Sequence, residues 1–183
     1  MADKSSNFND SAKPDLNENI RTLGQKIKGI KIAMLTTVDP DGVLRSRPMA
    51  TQEAEFDGRI WFFTRNSSGM VHSVEADQHV NLAYSDPSDH RWISVAGRAR
   101  LVHDKDKMAE LWTPALKAWF PEGLEDPEIA LLCVDAESAQ IWDSPSGALV
   151  HLVGFTKAIL TGKPYDERGE TQKLDIKSSS AQH

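Results

Sequence analysis

One cysteine in 183 residues, Cys133, excludes an intrachain disulfide and fits a reducing compartment. It stands in the apolar run 130–134 with no nucleophile context, so it reads as a buried core thiol. No apolar run approaches the roughly 20 residues that a membrane-spanning helix needs. The opening Met1-Ala2-Asp3-Lys4-Ser5-Ser6-Asn7 is polar and lacks the apolar centre of a signal peptide, so the expected address is cytoplasmic. Positive charge is short, with 21 Lys and Arg against 27 Asp and Glu for a net charge of −6. That balance argues against a phosphate-backbone footprint, and nucleic acid is not an expected partner. No glycine-rich dinucleotide fingerprint is found, which argues against a Rossmann nicotinamide site. The six histidines (72, 79, 90, 103, 151 and 183) show no metal-ligand spacing, and no metal is expected. Asp86-Pro87-Ser88-Asp89-His90 reads as a polar connection rather than a catalytic dyad.

What is present is enough for one domain with an ordinary core. Residues 1–14 and 161–183 are polar and read as mobile tails around a single unit over 15–160. Leu16, Ile20, Leu23, Ile27 and Ile30 fall at helical spacing, with Asp15 and Glu18 as a capping-box-like start. After Gly29 the pattern changes to strand over 31–38, and Asp39-Pro40-Asp41-Gly42 turns the chain into a second strand over 43–51, a predicted hairpin. A further strand is predicted over 59–64 and a short helix over 67–76, with Met70, Val71 and Val74 on its apolar side. Strands follow over 79–85 and 91–102, the second carrying Gly97 where a barrel strand bends. A helix over 104–119 has Pro114 as its point of division; two separate strands are predicted over 129–134 and 138–143, and a last helix over 146–160. Six or seven mostly antiparallel strands with helices between them point to a closed or split barrel, mainly β with flanking helices.

The most informative segment is Arg45-Ser46-Arg47-Pro48-Met49-Ala50. Strand period puts Val43, Arg45, Arg47 and Met49 on one face, and two guanidinium groups so placed repel unless an anion or solvent lies between them. Pro48 has no N–H, which suits an edge or an opening in the sheet. The next strand ends in Phe63-Thr64 and runs into Asn66-Ser67-Ser68-Gly69, a hydroxyl-rich entry to a helix where free N–H groups favour a phosphate. Arginines on one strand and hydroxyls on the next make an anchor for a phosphorylated planar ligand. Each feature also has an ordinary structural reading, as a solvated strand face and as an N-cap. Trp61 and Trp92 lie in strands and suit core or interface; Trp112 and Trp119, seven apart, share a face if their helix is continuous.

The second half adds Leu111-Trp112-Thr113-Pro114, Ala118-Trp119-Phe120-Pro121-Glu122-Gly123, Asp126-Pro127 and Ala139-Gln140-Ile141-Trp142. With these motifs the chain, over roughly residues 15–160, resembles the flavin-binding split barrels related to pyridoxamine 5'-phosphate oxidase, and among them the general stress protein 26 branch. The resemblance implies a homodimer holding flavin mononucleotide (FMN) at the subunit interface, exchanging electrons with a small-molecule donor or acceptor. It assigns Arg45, Ser46, Arg47, Pro48 and Met49 to the phosphate-and-ring strand, and Phe63 and Thr64 to the ribityl-phosphate region. Ser68, beside Ser67, falls on the hydroxyl position of the turn. Trp92 falls where the oxidase places a partner-subunit glutamine near the flavin, and Trp142 aligns with a tryptophan that reaches the flavin from the C-terminal region. Gly69 and Met70 stand where the oxidase has two basic residues that clamp the phosphate.

The expected function is therefore that of an FMN-binding general stress protein, a flavin-dependent oxidoreductase without an assigned catalytic residue. A flavin-buffering protein without its own catalysis is the first alternative. A relative that binds a deazaflavin or haem is another. A genuine pyridoxamine 5'-phosphate oxidase is disfavoured, because the residues after Trp142 offer few cations for a substrate phosphate; Arg98 and Arg100, at strand period 2, are its remaining support.

Overall fold

The computed structural model describes residues 16–143 and 170–176. The expected N-terminal tail and the expected helix over 146–160 lie outside the described residues. Helix α1 (Leu16–Ile27) buries Leu23 and Ile27, as their spacing requires, and ends at Gly29, whose φ of +85° is open to glycine at little cost. Strands β1 (Ile32–Val38) and β2 (Leu44–Ala50) form the expected hairpin in the register Thr37↔Arg45 and Leu35↔Arg47. Its turn is closed by the Gly42 N–H donating to the Asp39 carbonyl at 2.8 Å.

Strand β3 (Arg59–Arg65), helix α2 (Gly69–Ala76), strand β4 (His79–Asp86) and strand β5 (Arg91–Val102) follow as expected. Met70, Val71 and Val74 are buried from α2. The helix expected over 104–119 is shorter: α3 spans Lys105–Leu111, capped by the Asp104 carboxylate, which accepts from the Lys107 N–H at 3.0 Å. Thr113, preceding Pro114, is extended (φ −123°, ψ 150°), because the proline ring disfavours a helical conformation there, and a 3-10 turn over Pro114–Ala118 replaces the second half. Trp112 and Trp119 consequently do not share one helical face.

The two strands expected over 129–134 and 138–143 are one, β6 (Ile129–Asp143). The stretch Asp135-Ala136-Glu137 between the two expected strands is absorbed by a bulge: Ala96 pairs with Ser138 but Gly97 with Ala136, leaving one residue over. Gly97 is needed at this point, since a Cβ there would lie 2.4 Å from the Asp135 carbonyl oxygen. The reading of 161–183 as a tail is corrected for one stretch, because β7 (Glu170–Asp175) pairs with residues 138–143 of β6. Leu174 and Ile176 are buried there, and the buried Asn19 amide of α1 donates to the Asp175 carbonyl at 2.8 Å.

Every pairing is antiparallel, in the order β2-β1-β4-β5-β6-β3, with β3 and β7 sharing one edge of β6 in succession. The sheet curls into a half-barrel with flanking helices. Its end strands β2 and β3 meet through the Gln52 N–H, which donates to the Trp61 carbonyl at 3.1 Å, and beyond that point no described residue pairs them, leaving a split. The barrel core is built on Leu35, Phe62, Leu82, Tyr84, Ile93 and Val95, with a second cluster of Trp61, Met108, Leu111, Phe120, Leu131 and Cys133 on the other face of β3 and β6. Each such large side chain contributes about 1.5–3 kcal/mol by burial. Among the described residues, no helix is long and apolar enough to cross a membrane.

Candidate site at the split between β2 and β3

The split is flanked by an edge strand and a strand-to-helix turn. Because β2 and β3 run antiparallel, the Arg65 end of β3 and the start of α2 lie alongside the Arg45–Arg47 end of β2. A hydrogen bond fixes this approach: the Ser73 hydroxyl of α2 donates to Asp39 Oδ1 at 2.7 Å, in the β1–β2 turn. Arg45 Nε donates to the other oxygen, Asp39 Oδ2. The Ser73 hydroxyl, and after it Arg45, hold the Asp39 carboxyl below its usual range. Arg45 is therefore committed to a carboxylate. Arg47 is not: its Nη1 donates to the Thr37 hydroxyl at 3.2 Å, and it makes no ion pair with a described residue, though its charge also helps to keep Asp39 ionised.

The other members of the predicted set divide between the two faces of the sheet. Ser46 and Pro48 point outward, Ser46 Oγ lying 2.7 Å from Thr36 Oγ1 and Pro48 opposite Met34 on the free edge of β2. Met49 is half-buried against the barrel core. Thr64 is buried, with Oγ1 3.4 Å from Ser68 Oγ. Ser68 is the N-cap of α2, but its side chain makes no capping bond, so its hydroxyl is turned to Thr64 rather than to the helix. Phe63 faces the other way. Its ring packs edge-on against Trp112 (centroids 5.7 Å apart) and against Phe120, in the second cluster.

The backbone of Ser67 is engaged elsewhere. Its N–H donates to Glu128 Oε2 at 3.1 Å, and the Asn66 N–H donates to the Glu128 carbonyl at 2.8 Å. A carboxylate of the chain itself thus holds one amide of the turn, on the β6 side of β3. Arg65 is engaged as well: Nη2 donates to the Trp119 carbonyl at 2.7 Å, Nη1 lies 3.4 Å from Asp126, and the guanidinium stands 5.2 Å from the Phe120 ring centroid. Gly69 has open space where a side chain would extend, and Met70 is a core residue.

Trp92 and Trp142 are direct cross-strand partners on the outer face, 44% and 39% exposed. Ile32 and Met34 are exposed on the same outer surface. β5 is three strands from β2, about 14 Å at ordinary strand spacing, so one chain does not bring this pair to Arg47. Sequence reasoning missed Asp39, Ser73 and Glu128. Asp39 was legible only as a turn residue, and nothing in the local pattern pointed to Glu128.

Comparison with known proteins assigns the family. The family described as pyridoxamine 5'-phosphate oxidase like matches residues 18–166, and this chain belongs to it. A curated relative, protein bli-3 of Neurospora crassa, is 28% identical over 180 residues, covering 92% of this chain and 86% of that protein. A general stress protein 26 from Jannaschia sp. CCS1 superposes with a TM-score of 0.68 at 26% identity, covering 88% of this chain and 98% of that one. The general stress FMN/FAD binding protein of Xanthomonas citri gives a TM-score of 0.61 at 31% identity, covering 72% of this chain and 92% of that one. The general stress protein 26 fold expected from the motifs is borne out.

Proposed function

We propose that this member of the family binds FMN along the β2–β3 split and serves as a flavin-dependent oxidoreductase for a small molecule. The observation that carries the reading is Arg47, a guanidinium that makes no ion pair with a described residue, on an edge strand beside a seam that no described strand pairs. A phosphate accepts charge-assisted hydrogen bonds from such a group, and the hydroxyls of Thr64 and Ser68 stand at the end of the neighbouring strand. The donor set fits an FMN phosphate with one full cation rather than several. The edge at Pro48-Met49, which no described strand pairs, leaves backbone groups for the ring, and a bound flavin would supply the redox chemistry. The chain's own part is to orient the ligand and exclude water. The name of the Xanthomonas citri relative supports the same cofactor.

The reading includes a homodimer and one domain, with β7 completing the sheet. A second copy set against the outer face would cover Trp92 and Trp142 and bring their rings towards the partner's split. Visible absorption and the mass of the ligand that copurifies with the chain test the cofactor: a flavin spectrum with the mass of FMN is expected, and a haem or deazaflavin signature overturns it.

A second reading, reversible flavin storage without turnover, is favoured by one observation. Arg45 and Arg65, the nearby cations that would strengthen phosphate binding, are each held by a carboxylate. Pyridoxamine 5'-phosphate oxidation has less support, because Arg98 and Arg100 pair with Glu137 and Asp135 at 3.1 and 3.3 Å.

A further inference from the structure

Away from Arg47, where Gln52 and Trp61 join the two end strands, lies a cavity of about 470 Å³. That volume falls within the roughly 300–1,000 Å³ of small-molecule sites. It is bounded by the second half of α1, residues 51–56 and the beginning of β3. Ile27, Ile30, Ala54, Phe56, Ile60 and Trp61 give it apolar walls. Gly24 sets α1 directly against Phe56, since a Cβ there would lie 3.0 Å from the phenylalanine side chain; the wall is thus a packed one.

The charges around it are distributed unevenly. Arg21, Gln25 and Lys28 fall at i, i+4 and i+7, one stripe along the cavity side of α1, and the Lys28 N–H continues the helical ladder to the Gly24 carbonyl at 3.1 Å. Lys31 follows at the same rim. None of these three cations makes an ion pair with a described residue. Arg45, Arg59, Arg65, Arg91, Arg98 and Arg100 all do. On the opposite wall Ala54 and Phe56 are half-buried and face inward, while the exposed Glu53 and Glu55 stand at the rim across from the helix, so the cations are gathered on the α1 side and the carboxylates on the other. Apolar walls beside three cations that make no ion pair with a described residue, against two carboxylates on the far rim, match one ligand chemistry.

We propose that this cavity binds an amphipathic organic monoanion, a compact apolar or aromatic body carrying a carboxylate. The body lies against the Phe56 and Trp61 walls, and the carboxylate lies among Arg21, Lys28 and Lys31. The site is separate from the one proposed for flavin and does not depend on it.

Amide-resolved NMR titration of the full chain with 3-phenylpropionate tests this, with phenethylamine and 3-phenylpropan-1-ol as bodies of similar size and different charge. Saturable shifts centred on Gly24, Gly29 and Ala54 are expected, with the anion bound at least fivefold more tightly than either control. The exposed double substitution Arg21→Gln and Lys28→Gln should weaken the anion at least fivefold and leave the alcohol unchanged, with the remaining amide shifts showing that the fold is intact. Equal binding of the amine and the anion, shifts centred on Arg47, or no saturable response would each overturn the proposal.

Discussion

Arg45 and Arg47 occupy the same face of β2 two residues apart, yet among the described residues only Arg45 makes an ion pair, through its Nε bond to Asp39, while Arg47 meets the Thr37 hydroxyl at 3.2 Å. The strand supplies two guanidinium groups and the hairpin turn consumes one of them. Phosphate affinity at the split should accordingly depend on the two residues unequally.

Arg47→Ala is expected to weaken FMN by about 1.5–3 kcal/mol, roughly ten- to a hundredfold in Kd, with riboflavin nearly unaffected. Arg45→Ala should change FMN affinity much less and loosen the β1–β2 turn instead. Fluorescence titration of both ligands against both variants decides it. An equal loss of FMN and riboflavin in Arg47→Ala would mean that the residue does not read the phosphate.

Paired exposed tryptophans on a sheet face are expensive for a monomer to leave in water. The chain is expected to sediment as a dimer, and Trp92→Glu combined with Trp142→Glu should give a monomer that has lost most of its flavin. A native monomer with full flavin occupancy, seen by light scattering and absorbance together, would refute the interface.

Asp39 gives a pH signature with a definite sign. Its folded carboxyl is held below its ordinary value, first by the Ser73 hydroxyl and then by Arg45, so ionised Asp39 favours the folded state. That stabilisation is complete above the unfolded carboxyl's pKa and is lost as pH falls through the lower folded one. Asp57, Asp77 and Asp86 are lowered too and add to acid sensitivity, so the comparison must be with Asp39→Asn rather than with wild type alone. The Tm gap between the two proteins should be widest near neutrality and close in acid. A gap independent of pH would show that the Asp39 charge is not involved.

Gly97→Ala should destabilise the barrel by about 1–3 kcal/mol, because the added methyl meets the Asp135 carbonyl in the bulge and the strands must part. Gly69→Ala, with open space at its Cβ position, is the control and should be neutral or slightly stabilising as a helix residue. Chemical denaturation compares them, and similar midpoints for the two would contradict the bulge geometry.

The elements were largely legible because their signals are local. Leu23 and Ile27 at helical spacing, the Asp39-Pro40-Asp41-Gly42 turn, the apolar run of β3 and the alternation of β5 each state their conformation within a few residues. β6 reads as two strands with 135–137 between them, whereas Asp135 and Glu137 belong to one strand, and their pairing with Arg100 and Arg98 depends on a strand distant in sequence. β7 was hidden for a related reason: Thr171-Gln172-Lys173 is polar, and Leu174 is buried only because the far half of β6 has a free edge.

At the candidate site, the sequence by itself determined which groups are present: two arginines on one strand face and hydroxyls at the next turn. Only the tertiary structure decided which of them are uncommitted. Asp39 takes Arg45, Asp126 takes part of Arg65, Glu128 takes the Ser67 amide, and Arg47 is left without an ion pair among the described residues. Side-chain type follows from the chain one residue at a time, but neutralisation of a charge depends on what lies within a few ångströms, and that is settled by strand order and register.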